Sequence, residues 1–245
     1  MTALARAGWR TLSLAEFAGG RGADAPTGNV FLLTFDDGYA SLAEHAYPVL
    51  ADLGFTATTF LITDYVGKTN TWDVRYTWSR LPHLGWADVE RWHARGRPGG
   101  GGGFEFASHG ATHRRLPWLD DAGIALELGR SRDVLRTRLG PDAGTAIAYP
   151  FGAVDARVIR LAREAGYALG FGGVKGNGDS LHQSRVPVYS WDLGRTPFGL
   201  RDDAIGELGR AVAHFANRCA VGTSVMLMAK QRISRQPESA VGAGS

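Results

Sequence analysis

The chain has 245 residues, 44 % hydrophobic and 10 % aromatic, enough to bury the core of one large α/β domain or two small ones. Its 27 Lys and Arg against 24 Asp and Glu leave a net charge of +3 with no basic block, so nucleic-acid binding and membrane-surface attachment gain no support. A single cysteine, Cys219, excludes an internal disulfide framework and reads as a small core residue, and the absence of any apolar run of roughly 18 residues excludes an encoded membrane span.

Along the chain, "MTALARAGWR" has no apolar stretch of the kind a secretory signal needs. The protein is therefore expected in the cytoplasm by default, or in the cell envelope or outside it where a leader precedes this chain. "TALARAGW" reads as the end of a helix, and "VFLLTF" (30–35) as a buried strand. Residues 41–54 have helical spacing that stops at Gly54. "TATTFLI" (56–62) is β-branched and strand-like. A helix is predicted over 86–96, a glycine-rich loop over 96–104 and a short strand over 104–109. A long helix over 120–140, a strand over 145–151, a helix over 155–166 and a strand over 167–173 follow. The last predicted elements are a strand at 184–191, a helix at 202–217 and a strand at 224–228. Residues 1–229 are expected to form a single domain, and the polar residues 230–245 a disordered tail. Repeated strand–helix units predict a mostly parallel sheet, open or closed as a barrel, with ligands at the carboxyl ends of the strands.

Two strand ends carry chemistry. In "FLLTFDDGYA" an apolar run meets Asp36 and Asp37 side by side. Adjacent carboxylates repel, and desolvating either is costly unless a cation compensates. In "FEFASHGATH" His109 and His113 are four residues apart, so on one helical turn both imidazoles share a face. Two histidines and one carboxylate are a common ligand set for catalytic zinc, with a position left open for water. Taken singly, the aspartates also fit a helix cap with a solvated neighbour, and the histidines fit two unrelated surface residues.

"TFDDGY" followed by "SHGATH" resembles the polysaccharide deacetylases of the NodB-homology type, carbohydrate esterase family 4. "AYPFG" (148–152) is similar to that family's third motif, and the likeness runs over roughly residues 8 to 192. The resemblance implies a distorted (β/α) barrel of about seven strands, here lacking the first strand of some relatives, and removal of N-acetyl or O-acetyl groups from a glycan. It implies one divalent metal on Asp37, His109 and His113, zinc first and cobalt, nickel or manganese as alternatives. It makes Asp36 the catalytic base. It makes Tyr149, Pro150 and Phe151 the segment facing the oxyanion and substrate, with a backbone N–H near Phe151 as donor.

The sequence departs from the family pattern in three places. The arginine that usually steadies the base in the third motif is Ala148, and Arg185 is the expected substitute, with a surface arginine as the alternative. The histidine that usually acts as general acid is replaced by Ala229, beside Lys230. A strand ending Tyr-His, which supplies that histidine in one branch, is not found ahead of "ARAGWRTLSLAEF". The general acid is thus unassigned among His45, His83, His93, His182 and His214, of which His182 stands nearest the Arg185 segment. Asp192 falls where relatives place an aspartate that orients the missing histidine. Trp72 and Trp78, in a polar-aromatic loop, are candidates to stack on sugar rings or to pack in the loop. Against the deacetylase stand a degenerate metal- or glycan-binding relative without turnover and a hydrolase of a non-glycan amide on the same barrel.

Overall fold

The alternation of strands and helices becomes a parallel sheet in the computed structural model, which describes residues 1–20, 27–71, 80–95 and 103–188. Five strands form the main sheet: β3 (Thr34–Phe35), β4 (Thr58–Leu61), β5 (Glu105–Ser108), β6 (Ala146–Ala148) and β7 (Leu169–Phe171). They lie in chain order and all pair in parallel, giving a curled half-barrel of the α/β class. Helices α3 (Tyr47–Asp52), α4 (Trp86–His93), α5 (Asp121–Leu139) and α6 (Ala156–Glu164) make the crossovers. Two further strands, β1 (Arg10–Thr11) and β2 (Val30–Phe31), form a small parallel sheet of their own, flanked by α1 (Thr2–Arg6) and α2 (Leu14–Gly19). The residues expected at 202–217, 224–228 and 230–245, and Trp72, Trp78, Asp192, His214, Cys219, Ala229 and Lys230, lie outside the described residues.

β4, β6 and β7 are buried along their whole length, as parallel strands covered on both faces must be. One face carries Phe60, Ala107, Ala146, Ala148, Leu169 and Phe171, against which Leu14 and Phe17 of α2 pack. The other face meets the helices. Tyr47, Leu50, Val89, Trp92 and Leu135 pack there with Leu61 and Phe106. Ile124 and Leu128 of α5 and Val158 and Leu161 of α6 enclose Ile147 and Tyr149.

The helix starts at 120 and 155 were legible because Asp120 and Asp155 cap α5 and α6, accepting from Gly123 N and Val158 N at 2.8 Å. Three expectations need correction. The strand at 30–35 is two strands, because the backbone changes partner: Val30 and Phe31 pair with β1, Thr34 and Phe35 with β4. The helix at 41–54 opens with a π-turn over Leu42–Ala46 before α3. Pro48, in the first turn of α3, has no N–H for the ordinary i→i−4 bond, and the wider turn absorbs that loss. The described part of the segment 184–191 is not a strand: a single parallel bridge joins Phe171 to Gln183, and Pro187 cannot extend a ladder. β1 was missed altogether, since two residues show no periodicity.

Candidate active site

The carboxyl ends of β3, β5 and β6 converge. Directly after β3 the chain turns sharply at Asp36-Asp37-Gly38, with Gly38 N donating to Asp36 O at 2.9 Å. Gly38 has φ +68°, and a Cβ there would stand 2.5 Å from Leu61 Cδ2, so any side chain would be strained and would have to displace Leu61. Among the described residues three non-glycine residues have left-handed backbones: Asp37 (φ 68°), His113 (φ 61°) and Phe151 (φ 62°). Each costs about 1–2 kcal/mol, less for aspartate, and one lies in each of the three motifs. Strain concentrated in this way is the mark of a functional site held by its surroundings.

His109 follows β5, its N–H bonded to Leu61 O at 2.8 Å. Its Nδ1–H donates to Ala148 O at 2.7 Å, which turns Nε2 toward Asp37. The Nε2 atoms of His109 and His113 lie 3.5 and 3.4 Å from the same oxygen, Asp37 Oδ1. All three donor atoms fall within 4.8 Å of one another. Four-coordinate bonds of about 2.0–2.1 Å at tetrahedral angles set donors about 3.4 Å apart, so the set fits a single divalent ion. Burial holds His109 below its ordinary pKa against the opposing charge of Asp36. Burial and then the neighbouring His109 push His113 further down. Both imidazoles are therefore neutral at neutral pH, the form in which Nε2 has a lone pair to give.

Asp36 stands beside this set and faces Arg185. The guanidinium donates Nη1–H to Oδ1 at 2.7 Å and Nη2–H to Oδ2 at 2.8 Å. Burial favours the neutral acid most strongly of any single influence, but the charge of Arg185 and its paired bonds oppose it, and Asp36 stays ionised, well below the usual carboxylate range. Arg185 is itself anchored by Nε–H to Gly172 O at 3.3 Å and by the Phe60 ring, 5.7 Å away. It thus pairs with Asp36 from beyond β7, while Ala148 on β6 offers only its carbonyl, to His109. Asp36 keeps 34 % of its side chain open, enough for a water molecule to reach it.

The third motif divides. Phe151 packs edge-on against His113, ring centres 4.6 Å apart. Gly152 and Ala153 donate their N–H groups to Tyr149 O and Pro150 O within the turn. Tyr149 corrects an expectation: its side chain is fully buried and its hydroxyl donates to Leu181 O at 2.9 Å, so it packs the core and does not line a substrate surface. Of the histidines considered as acids, His45 is exposed beside Glu44, His93 lies against Phe106, and His182 rests on Gly172 near Asp179.

Two residues take roles that were not read from the sequence. Glu127, on the buried stripe of α5 with Ile124, Leu128, Ser131 and Leu135, accepts Ala111 N–H at 3.0 Å and Thr112 N–H at 2.9 Å, and also the Thr112 hydroxyl. It thereby shapes the loop between the two histidines. An acid on an otherwise apolar stripe was the available signal. His83, considered above only as an acid, donates Nδ1–H to Asp37 O at 2.8 Å, a contact no local pattern marks.

A profile of the polysaccharide deacetylase family matches residues 23–170. The chain belongs to the polysaccharide deacetylase family. That is the NodB-homology group its motifs resemble. Among family relatives, the putative polysaccharide deacetylase YxkH of Bacillus subtilis is 26 % identical over 145 residues, 59 % of this chain and 45 % of that protein. The poly-β-1,6-N-acetyl-D-glucosamine N-deacetylase of Staphylococcus aureus is 26 % identical over 186 residues, 72 % of this chain and 56 % of that protein. The chain spans about half the length of these curated relatives. The fold matches the Streptococcus pyogenes deacetylase PplD with TM-score 0.63 and 24 % identity, covering 75 % of this chain and 76 % of that one. The Bacillus cereus polysaccharide deacetylase BC0361 matches with TM-score 0.56 and 25 % identity, covering 76 % of this chain and 54 % of that one. No helix among the described residues of this deacetylase-family chain is long and apolar enough to cross a membrane.

Proposed function

We propose that the protein is a metal-dependent hydrolase that removes N-acetyl groups from an amino-sugar polymer. The observation that carries this is an ionised carboxylate, Asp36, clamped by Arg185 directly beside three donors spaced for one cation. A substrate-binding protein would need the donors but not a second, half-buried and charge-compensated acid. The name of the Staphylococcus aureus relative supports β-linked N-acetylglucosamine polymers as the substrate class.

Asp37, His109 and His113 would hold the ion, zinc being the first choice for two imidazoles and a carboxylate. When bound, the ion supplies Lewis acidity to a water and to the acetyl carbonyl. Asp36 accepts the water's proton, and Arg185 fixes the carboxylate so that its lone pair stays on that proton. As the water oxygen bonds to the acetyl carbon, negative charge builds on the carbonyl oxygen, and Phe151 N–H is the donor this reading places there. The C–N bond then breaks and the departing amine takes up a proton. With Ala229 read at the usual acid's position, that proton falls to water or to a less suited group, which predicts a slow amide hydrolase.

Acetate release from N-acetylglucosamine oligomers, with zinc or cobalt added, tests the reading. Asp37→Ala should lose the metal. Asp36→Asn should keep the metal and lose activity by about 10²–10⁴-fold. Equal metal loss in both variants, or no acetate from any acetylated amino sugar, overturns it.

A further inference from the structure

His83 is 5 % exposed and lies on a strap, residues 81–84, that runs beside the metal-ligand turn. The strap is stitched on both sides. Toward the turn, Ala40 N donates to Pro82 O at 2.9 Å and Leu84 N to Gly38 O at 2.8 Å, with Tyr39 and His83 forming an antiparallel bridge. Toward the loop after β4, His83 N donates to Lys68 O at 2.8 Å, Gly67 N to Leu84 O at 2.7 Å and Asn70 N to Leu81 O at 2.8 Å. The imidazole stacks on Tyr39, ring centres 5.0 Å apart, and is tilted against Tyr65 at 5.6 Å. Its Nδ1 is 2.8 Å from Asp37 O. A carbonyl only accepts, so Nδ1 carries the proton.

Asp37 is a non-glycine residue with φ 68°, a conformation that a short polar turn keeps only when its peptide groups are held. Its carbonyl is the group His83 holds, and its Oδ1 is the atom both ligand imidazoles face. Rotation of that peptide would swing Oδ1 out of the donor set. We propose that His83 is a positioning residue for the cation site: it locks the left-handed backbone of Asp37 and so ties the loop at 67–71 and the strap at 81–84 to the coordination geometry. This rests on the reading of Asp37 as a metal ligand.

The test is zinc affinity, measured on the full chain by competition with a chromogenic chelator. An asparagine amide nitrogen can occupy the place of Nδ1, whereas a glutamine nitrogen falls nearer Nε2. His83→Gln and His83→Ala should weaken zinc binding about 10–100-fold, the usual cost of losing an outer-shell partner, and His83→Asn should restore most of it. A residue that merely packs would lower the melting temperature of all three variants alike and leave zinc affinity of the folded protein unchanged, which would overturn the proposal. Wild-type protein that binds no zinc would overturn the parent reading and this one together. Wild-type binding with unaltered binding by His83→Gln overturns only the role of His83. Nitrogen-15 spectra of histidine-labelled wild type decide the matter without any variant. His83 should be the Nδ1–H tautomer and its signals should move as zinc is added; an Nε2–H tautomer, or signals indifferent to zinc, refutes the proposal.

Discussion

Replacing Arg185 with lysine separates charge from geometry at the base. The guanidinium makes two charge-assisted bonds to Asp36, at 2.7 and 2.8 Å, and a third to Gly172 O. Lysine keeps the charge but offers a point donor in place of a fork. It can restore one bond to Asp36 and loses the other. A bond to a charged group is worth about 1.5–3 kcal/mol, so about that much restraint on the carboxylate disappears. If all of it is restraint that the reaction uses, kcat falls about 10- to 150-fold, at 1.36 kcal/mol per decade. Arg185→Met removes both bonds and the charge and should fall further, by about 10²–10⁴-fold. Neither variant touches the donor triangle, so zinc content should equal that of the wild type. The assay is acetate release at saturating substrate, with metal analysis and thermal melting on the same preparations. Arg185→Lys turning over within about twofold of wild type, with its metal intact, would refute the claim that the fork holds the base.

Two further outcomes follow from the same site and its foundation. An activated acetate ester, whose leaving group needs no proton, should suffer far less in kcat/KM than an N-acetyl amino sugar from the loss of the usual acid; amide turnover at ordinary enzyme rates would show that an acid is present after all. At the opposite end of the barrel, burial raises the pKa of Glu105 despite its bonds from Leu14 N–H and the Thr58 hydroxyl. Its folded pKa lies above its unfolded one, so its stabilising contribution is full below the unfolded value and is lost as pH rises through the folded value. Glu105→Gln should therefore melt higher than wild type at pH 7 and lose that advantage at acid pH; equal destabilisation at both would contradict the sign.

The two motifs of the candidate site were legible because each packs its polar residues into a few consecutive positions at a strand end: Asp36 and Asp37 on one turn, His109 and His113 on the next. The capped starts of α5 and α6 were legible for the same reason. What escaped is what tertiary contact decides. The run at 30–35 looks continuous in sequence, and only its change of partner from β1 to β4 splits it. Tyr149 belongs to a motif, yet its hydroxyl is spent on Leu181, a partner 32 residues away. His83 reaches Asp37 across 46 residues, with no local pattern to announce it. Glu127 was readable in principle, as the one carboxylate among Ile124, Leu128 and Leu135.

The main sheet is laid down strictly in chain order, each strand beside the one before it. A growing chain would thus assemble this molecule from one side to the other. The donor triangle is complete once His113 has emerged. The cation that answers Asp36 arrives only with Arg185, 149 residues after its partner. Until then Asp36 is an acid beside two imidazoles with no fixed counter-charge. On the function proposed above, metal capture and catalytic competence would therefore be separate events in the birth of this protein, and the first could precede the second.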